Sequence, residues 1–253
     1  MTDLPEYDPR KDSFDSYNVA IAAMRAKLLH ERCPAAKRVE VIGQAELYLG
    51  DCMEIIPALE DIQAVVTDPP YGLGKRMQGG TWGAKDEMSG FLQWDLEAKQ
   101  EWIDTIISLN VPTIIWGANY FNVPSSRCWL MWNKINSVPT MADMEMAWTN
   151  FDKPAKRFDA PVGRAEFGHP TSKPLPLMQW CVNFLPPQLA ILDPFLGSGT
   201  TGAVCAKTGR SFKGIELNET YFQTSVDRIR KAYAQPDMFV SAPSPKPVQE
   251  ALL

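Results

Sequence analysis

Seven short apolar, β-branched runs punctuate this chain, and the distances between them limit what it can fold into. They are 47–49, 62–67, 111–116, 127–132, 144–148, 189–192 and 212–215. Each has strand length, and most are separated by enough residues for a helix. Parallel strands need crossovers of that length, and strands covered on both faces read as continuous apolar runs. The pattern predicts an α/β fold, a Rossmann-like sheet of seven mostly parallel strands with helices on both faces. Upstream, Tyr17, Ile21, Met24, Leu28 and Leu29 recur at helical spacing, so residues 1–35 read as a helical extension. The main domain then spans 36–233, and the proline-rich stretch 234–253 reads as a disordered tail.

With 253 residues the chain suffices for one α/β domain with a good core. It is 45% apolar and 22% charged, the balance of a globular protein, and no apolar run approaches the length of a membrane span. The N-terminus lacks a basic-then-apolar signal, so a cytoplasmic protein is expected. The five cysteines are scattered without C-x-x-C spacing, which predicts buried thiols and no metal site.

The run 62–67 leads directly into Asp68-Pro69-Pro70-Tyr71. Two prolines stop the strand, stiffen the turn and remove two N–H donors. What remains is a carboxylate, carbonyls and an aromatic ring, a set that suits a flat exocyclic amine. Asp-Pro-Pro also serves as an ordinary strand-ending turn, and that reading stays open on these residues alone.

A second strand run, 189–192, leads into Asp193-Pro194-Phe195-Leu196-Gly197-Ser198-Gly199-Thr200-Thr201-Gly202. Gly197, Gly199 and Gly202 have G-x-G-x-x-G spacing, which permits a tight turn and close approach of a cofactor. No Gly-Lys-Ser/Thr follows, so the loop is not a phosphate-binding P-loop. The next strand ends at Glu216, where a carboxylate can accept from ribose hydroxyls.

Together these segments resemble the S-adenosylmethionine-dependent amino-methyltransferases of DNA. His169-Pro170-Thr171-Ser172-Lys173-Pro174 is similar to the HPTQKP segment of that family, with Ser172 where Gln is usual. The Asp-Pro-Pro-Tyr turn precedes the glycine loop, the circularly permuted order of the family's β group. Segments 114–121 and 129–134 also look like those of phage and bacterial members. The resemblance covers about Glu46 to Arg230.

The resemblance implies methyl transfer from S-adenosylmethionine to the N6 amine of an adenine turned out of the duplex. Asp68, Pro69, Pro70 and Tyr71 are the expected catalytic turn. Asp51, Asp193, Phe195, Gly197, Gly199, Thr200, Glu216, Thr171, Ser172 and Lys173 are the expected cofactor residues. Among them Asp193 would hold the methionine amine, Asp51 would meet the adenine amine or else cap a helix, and Lys173 would reach the cofactor carboxylate. Trp132 and Lys134 either border the site or are a core tryptophan and a surface lysine.

Asp rather than Ser at position 68 favours adenine by family habit. Cytosine N4 is the alternative, and a DNA-binding relic without activity is a reading of another class. An RNA or protein-glutamine substrate fits the permuted order less well. The resemblance also implies double-stranded DNA as partner, in a bacterial or phage restriction–modification setting, and a homodimer is a further partner expectation.

A net charge of −5 argues mildly against DNA, so contacts should come from local basic groups. Lys75, Arg76, Lys153, Lys156, Arg157 and Arg164 are the candidates, on recognition insertions near 72–96 and 150–168, with plain solvated charge as the other reading. In the tail, Gln235-Pro236-Asp237-Met238-Phe239 resembles the peptides by which bacterial proteins dock on the replication sliding clamp.

Overall fold

The computed structural model describes residues 14–72, 97–137, 142–162 and 173–235. Lys75, Arg76, Arg164, His169, Thr171, Ser172 and the clamp-like peptide from Pro236 onward lie outside the described residues.

Nine strands among the described residues form one sheet. They are β1 (Arg38–Ile42), β2 (Ala45–Leu49), β3 (Ala64–Thr67), β4 (Thr113–Trp116), β5 (Trp129–Lys134), β6 (Met144–Thr149), β7 (Lys156–Ala160), β8 (Ile191–Asp193) and β9 (Phe212–Glu216). Their spatial order is β1-β2-β9-β8-β3-β4-β6-β5-β7. The run from β2 to β4 is parallel throughout, and β6 is reversed between β4 and β5. The helices are α1 (Phe14–Arg32), α2 (Cys52–Ile55), α3 (Gln100–Ser108), α4 (Leu175–Val182), α5 (Thr200–Lys207) and α6 (Glu219–Ala234).

Two strands were not foreseen. β1 joins β2 antiparallel through a tight turn in which Gly43 has φ +57°. Its sequence, Arg-Val-Glu-Val-Ile, does alternate, but it is short and charged. β7 is polar and mostly exposed because it lies at the sheet edge beside β5. Lys156 and Arg157 therefore sit on an edge strand, not in the irregular segment expected over 150–168.

The central strands are buried at every position because helices cover both faces. Successive residues point to opposite sides, so Val66, Ile114 and Trp116 pack with α4, α5 and α6 through Leu177, Val204 and Phe222. Val65 and Ile115 face the other layer, with Ile55 of α2 and Ile103 and Ile106 of α3. Helix α1 contributes Leu29 to that second layer.

β8 and β3 are adjacent and parallel, with Val65 opposite Leu192. From β8 the chain continues through α5 to β9 on one side, and from β3 through α3 to β4 on the other. The connection direction reverses between them, which opens a crevice at their carboxyl ends. Asp68 and the glycine loop both emerge there.

Candidate active site

Asp68 follows the last residue of β3, and its side chain is 28% exposed. One carboxylate oxygen accepts from the Tyr71 hydroxyl, and the other accepts from Lys173 Nζ at 2.5 Å. Burial pushes the Asp68 carboxyl above the usual carboxylate range, and the Lys173 ammonium opposes that push. Burial likewise raises the Tyr71 phenol well above its ordinary value, with the Asp68 charge adding to it.

The Tyr71 ring lies flat against Gly117, at the end of β4. Gly117 has φ +64°, and a Cβ there would stand 1.9 Å from Tyr71 Cε1. Tyr120, 48% exposed, stacks on the same ring at 5.1 Å between centroids, and Lys173 Nζ stands 5.7 Å from its centre. The two rings thus form an aromatic step at the mouth of the crevice.

Lys173 stands just ahead of α4 and is 7% exposed. Besides Asp68 it pairs with Glu145 Oε2 at 3.1 Å, and Glu145 Oε1 pairs with Lys134 Nζ at 2.5 Å. Burial works to lower the Lys173 ammonium, but Asp68 and Glu145 outweigh it and hold it well above its ordinary value. Burial also works to raise Glu145, and Lys173 and Lys134 outweigh it, holding the carboxyl at about 2. The Lys173 nitrogen is thus paired with two carboxylates on the Asp68 side of the crevice. Lys134 is buried beside this network, with its nitrogen 5.2 Å from the Trp132 ring centre. Glu145 was not foreseen. The available signal was a carboxylate inside the otherwise apolar strand Met-Glu-Met-Ala-Trp.

On the other side of the crevice, Asp193 ends β8 and is 3% exposed. Its Oδ1 accepts from Thr67 Oγ1 at 2.8 Å and from Phe195 N at 3.2 Å, and its Oδ2 accepts from Thr201 Oγ1 at 2.7 Å. Burial pushes its carboxyl up to about 6. Asp193 is thus held by three hydrogen bonds from within the protein, two to one oxygen and one to the other.

The glycines divide by task. Gly197 has φ +53°, and its N–H donates to Glu216 Oε2 at 2.8 Å. Gly199 precedes α5 with φ +78°, but a Cβ there would meet Ser225 Cβ of α6 at 2.8 Å. A Cβ on Gly202 would meet Ile229 at 2.4 Å. Close helix packing requires those two glycines, so the expected opening for a ligand is left to Gly197. The Thr200 hydroxyl accepts from Arg228 Nη1 at 2.8 Å, and Arg228 is a second residue that was not foreseen. Phe195 packs edge-on against Trp102 of α3 at 5.1 Å.

Glu216 ends β9, and its Oε1 accepts from Asn218 N at 2.8 Å. Each of its oxygens keeps a lone pair after these bonds. Burial pushes its carboxyl up to about 7. Asp51 follows β2 and Gly50, and caps α2 by accepting from Met53 N at 2.8 Å. The Gly50 N–H donates to the Glu216 carbonyl at 2.9 Å, so both acidic residues stand side by side at the strand ends. This set of carboxylate acceptors beside a left-handed glycine fits a nucleoside with hydroxyl and amine donors.

The expected DNA contacts divide differently. Lys156 is in register with Leu130, near the start of β5, whereas Lys134 at its end borders the active site. Lys156 therefore lies toward the amino end of the strands, about 13 Å of strand from the end that carries Lys134, and Lys153 precedes it in the chain. Arg157 pairs with Asp159 at 3.1 Å. The sequence cluster is real, but the strand carries it past the crevice.

A family model described as DNA methylase, of the N6 and N4 type, matches residues 123–227. The type II methyltransferase M.HinfI of Haemophilus influenzae is 24% identical over 249 residues, covering 74% of this chain and 69% of that protein. The crystal structure of the M1.HpyAVI–SAM complex superposes with a TM-score of 0.52 at 26% identity, covering 73% of this chain and 98% of that one. The cytosine-N4-specific PvuII DNA methyltransferase shares the fold, with a TM-score of 0.50 at 15% identity over 76% of this chain and 92% of its own. The Asp-Pro-Pro-Tyr turn and the glycine loop meet at one crevice of this sheet, and the family model and these relatives together support an amino-methyltransferase of the S-adenosylmethionine-dependent DNA-modifying kind.

Proposed function

We propose that the protein methylates the N6 amine of adenine in double-stranded DNA, with Asp68, Pro69 and Tyr71 handling the base. The observation that carries this reading is the bond from Thr67 to Asp193, which holds the Asp-Pro-Pro-Tyr turn beside the glycine loop. Bound S-adenosylmethionine supplies a methyl group activated by its sulfonium sulfur. Gly197, Glu216 and Asp51 are the residues to hold it, and Thr200 and Asp193 support the loop from behind.

The amine of adenine is a weak nucleophile because its lone pair is shared with the ring. The Asp68 carboxylate and the Pro69 carbonyl accept its two N–H bonds and draw the nitrogen toward a tetrahedral shape. The step formed by Tyr71 and the exposed Tyr120 offers an aromatic face for the extruded base, a contact of about 1–3 kcal/mol. Catalysis is alignment and charge placement, with no covalent enzyme intermediate.

Aspartate at position 68, where serine is the other family choice, supports adenine over cytosine. The test is to incubate plasmid DNA with the protein and S-adenosylmethionine and map modified bases by single-molecule sequencing. N6-methyladenine at a recurring site is expected. N4-methylcytosine overturns the choice of base, and unmodified DNA overturns the activity.

A further inference from the structure

Behind the Asp-Pro-Pro-Tyr turn, side chains from four separate elements alternate in charge. Lys134 on β5 pairs with Glu145 on β6, Glu145 pairs with Lys173 ahead of α4, and Lys173 pairs with Asp68 after β3. The two lysines are 7% exposed each. Removing such groups from water is costly unless the geometry repays it, so their assembly against one reactive carboxylate calls for a reason.

We propose that Lys173 is a positioning residue for methyl transfer: clamped from behind by Glu145, it fixes the charge and direction of Asp68. The proposal rests on the amine-binding role given to Asp68 above. An ionised acceptor holds the target N–H more strongly, because protonation turns one carboxylate oxygen into a donor and weakens the other as an acceptor. Asp68 is surrounded by groups of both signs. Among the described residues Lys173 favours its charged form. Glu145 disfavours it and competes for the same ammonium, and the Tyr71 hydroxyl bonds to it from its own turn. Asp193 on β8 is near enough to interact, and Trp116 on β4 offers Lys173 a ring face at 5.6 Å. Lys173 and Glu145 therefore push Asp68 in opposite directions. Opposite shifts follow from the charges alone, but a merely structural pair gives no reason for the acid limb of the methylation rate to move with them.

The test uses the full chain with its aspartates labelled at the carboxyl carbon, titrated by NMR, and Asp68 identified by the signal lost in D68N. In K173M the Asp68 midpoint is expected to move up by about one pH unit or more, and in E145Q it is expected to move down. K173R keeps the charge and is expected to stay near wild type. If K173M does not fold, E145Q and K173R decide the matter by the same criteria.

In single-turnover methylation with saturating cofactor, the acid limb of the rate should follow the same order. The cofactor dissociation constant of K173M should stay within about twofold of wild type. An Asp68 midpoint that does not move, or that moves the same way in K173M and E145Q, overturns the inference. So does a tenfold weaker cofactor in K173M with an unmoved Asp68, which returns Lys173 to the cofactor carboxylate. Midpoints that move as expected in a wild-type chain that leaves DNA unmethylated overturn the proposed function instead.

Discussion

Thr67 Oγ1 donates a 2.8 Å hydrogen bond to Asp193 Oδ1, across the boundary between β3 and β8. Thr67 precedes the residue expected to meet the target amine, and Asp193 begins the loop expected to meet the methyl donor. This buried bond extends the β3–β8 pairing to the point where the two halves of the site leave the sheet. Effective alignment of reactants can supply several kcal/mol of a barrier, so small displacements here matter.

Asp68→Ala is expected to lower the methylation rate by about 10²–10³ while leaving cofactor affinity unchanged. Lys173 keeps Glu145 as partner in that variant, so the fold is retained. Calorimetry with S-adenosylmethionine and a single-turnover assay check the two halves. A near wild-type rate removes Asp68 from the mechanism.

Gly117→Ala is expected to slow methylation and to lower stability by about 1–2 kcal/mol, from the left-handed backbone alone. The new methyl group would also force the Tyr71 ring off its seat, since the available gap is 1.9 Å. Thermal unfolding and the rate are measured together. A variant with wild-type values for both contradicts the packing.

Gly199→Ala is expected to act first on the fold. The added Cβ meets Ser225 of α6 at 2.8 Å, in a backbone conformation of φ +78°. A lower melting temperature in the absence of any ligand is the expected result. An unchanged melting temperature with weakened cofactor binding restores the direct cofactor role.

Cofactor affinity should fall as pH drops through about 7, because Glu216 gains a proton there. The sign follows from burial. The carboxyl is raised in the free protein, ribose hydroxyls favour its ionised form, and protonation opposes binding. The loss is at most about tenfold per pH unit, and Glu216→Gln should bind weakly with that component of the pH dependence absent. Titration calorimetry between pH 5.5 and 8 on both proteins measures it, and parallel curves dismiss Glu216 as the titrating group.

Neutralising Lys153 and Lys156 to Gln is expected to leave the salt dependence of DNA binding unchanged. Both lie at the strand ends remote from Asp68. A slope reduced by about one per residue would instead put DNA on that face.

The chain's local chemistry determined much of this protein by itself. Short, β-branched apolar runs such as Ala-Val-Val-Thr and Thr-Ile-Ile-Trp read as central strands, and they are buried at every position. The proline turn and the glycine loop were legible because each needs residues with special backbone geometry at adjacent positions. The polar edge strand β7 was not legible, because an edge strand has no burial pattern to impose on its sequence. Tertiary structure alone decided which neighbours the key groups acquire. Asp193 and Lys173 look available for a ligand in the sequence, yet their partners Thr67, Thr201, Asp68 and Glu145 lie far along the chain. Lys153 and Lys156 look like a DNA face, yet the direction of β7 places them at the far end of the sheet. A side chain's charge and shape are set by its type, but its partners are set by which strand ends the topology brings together.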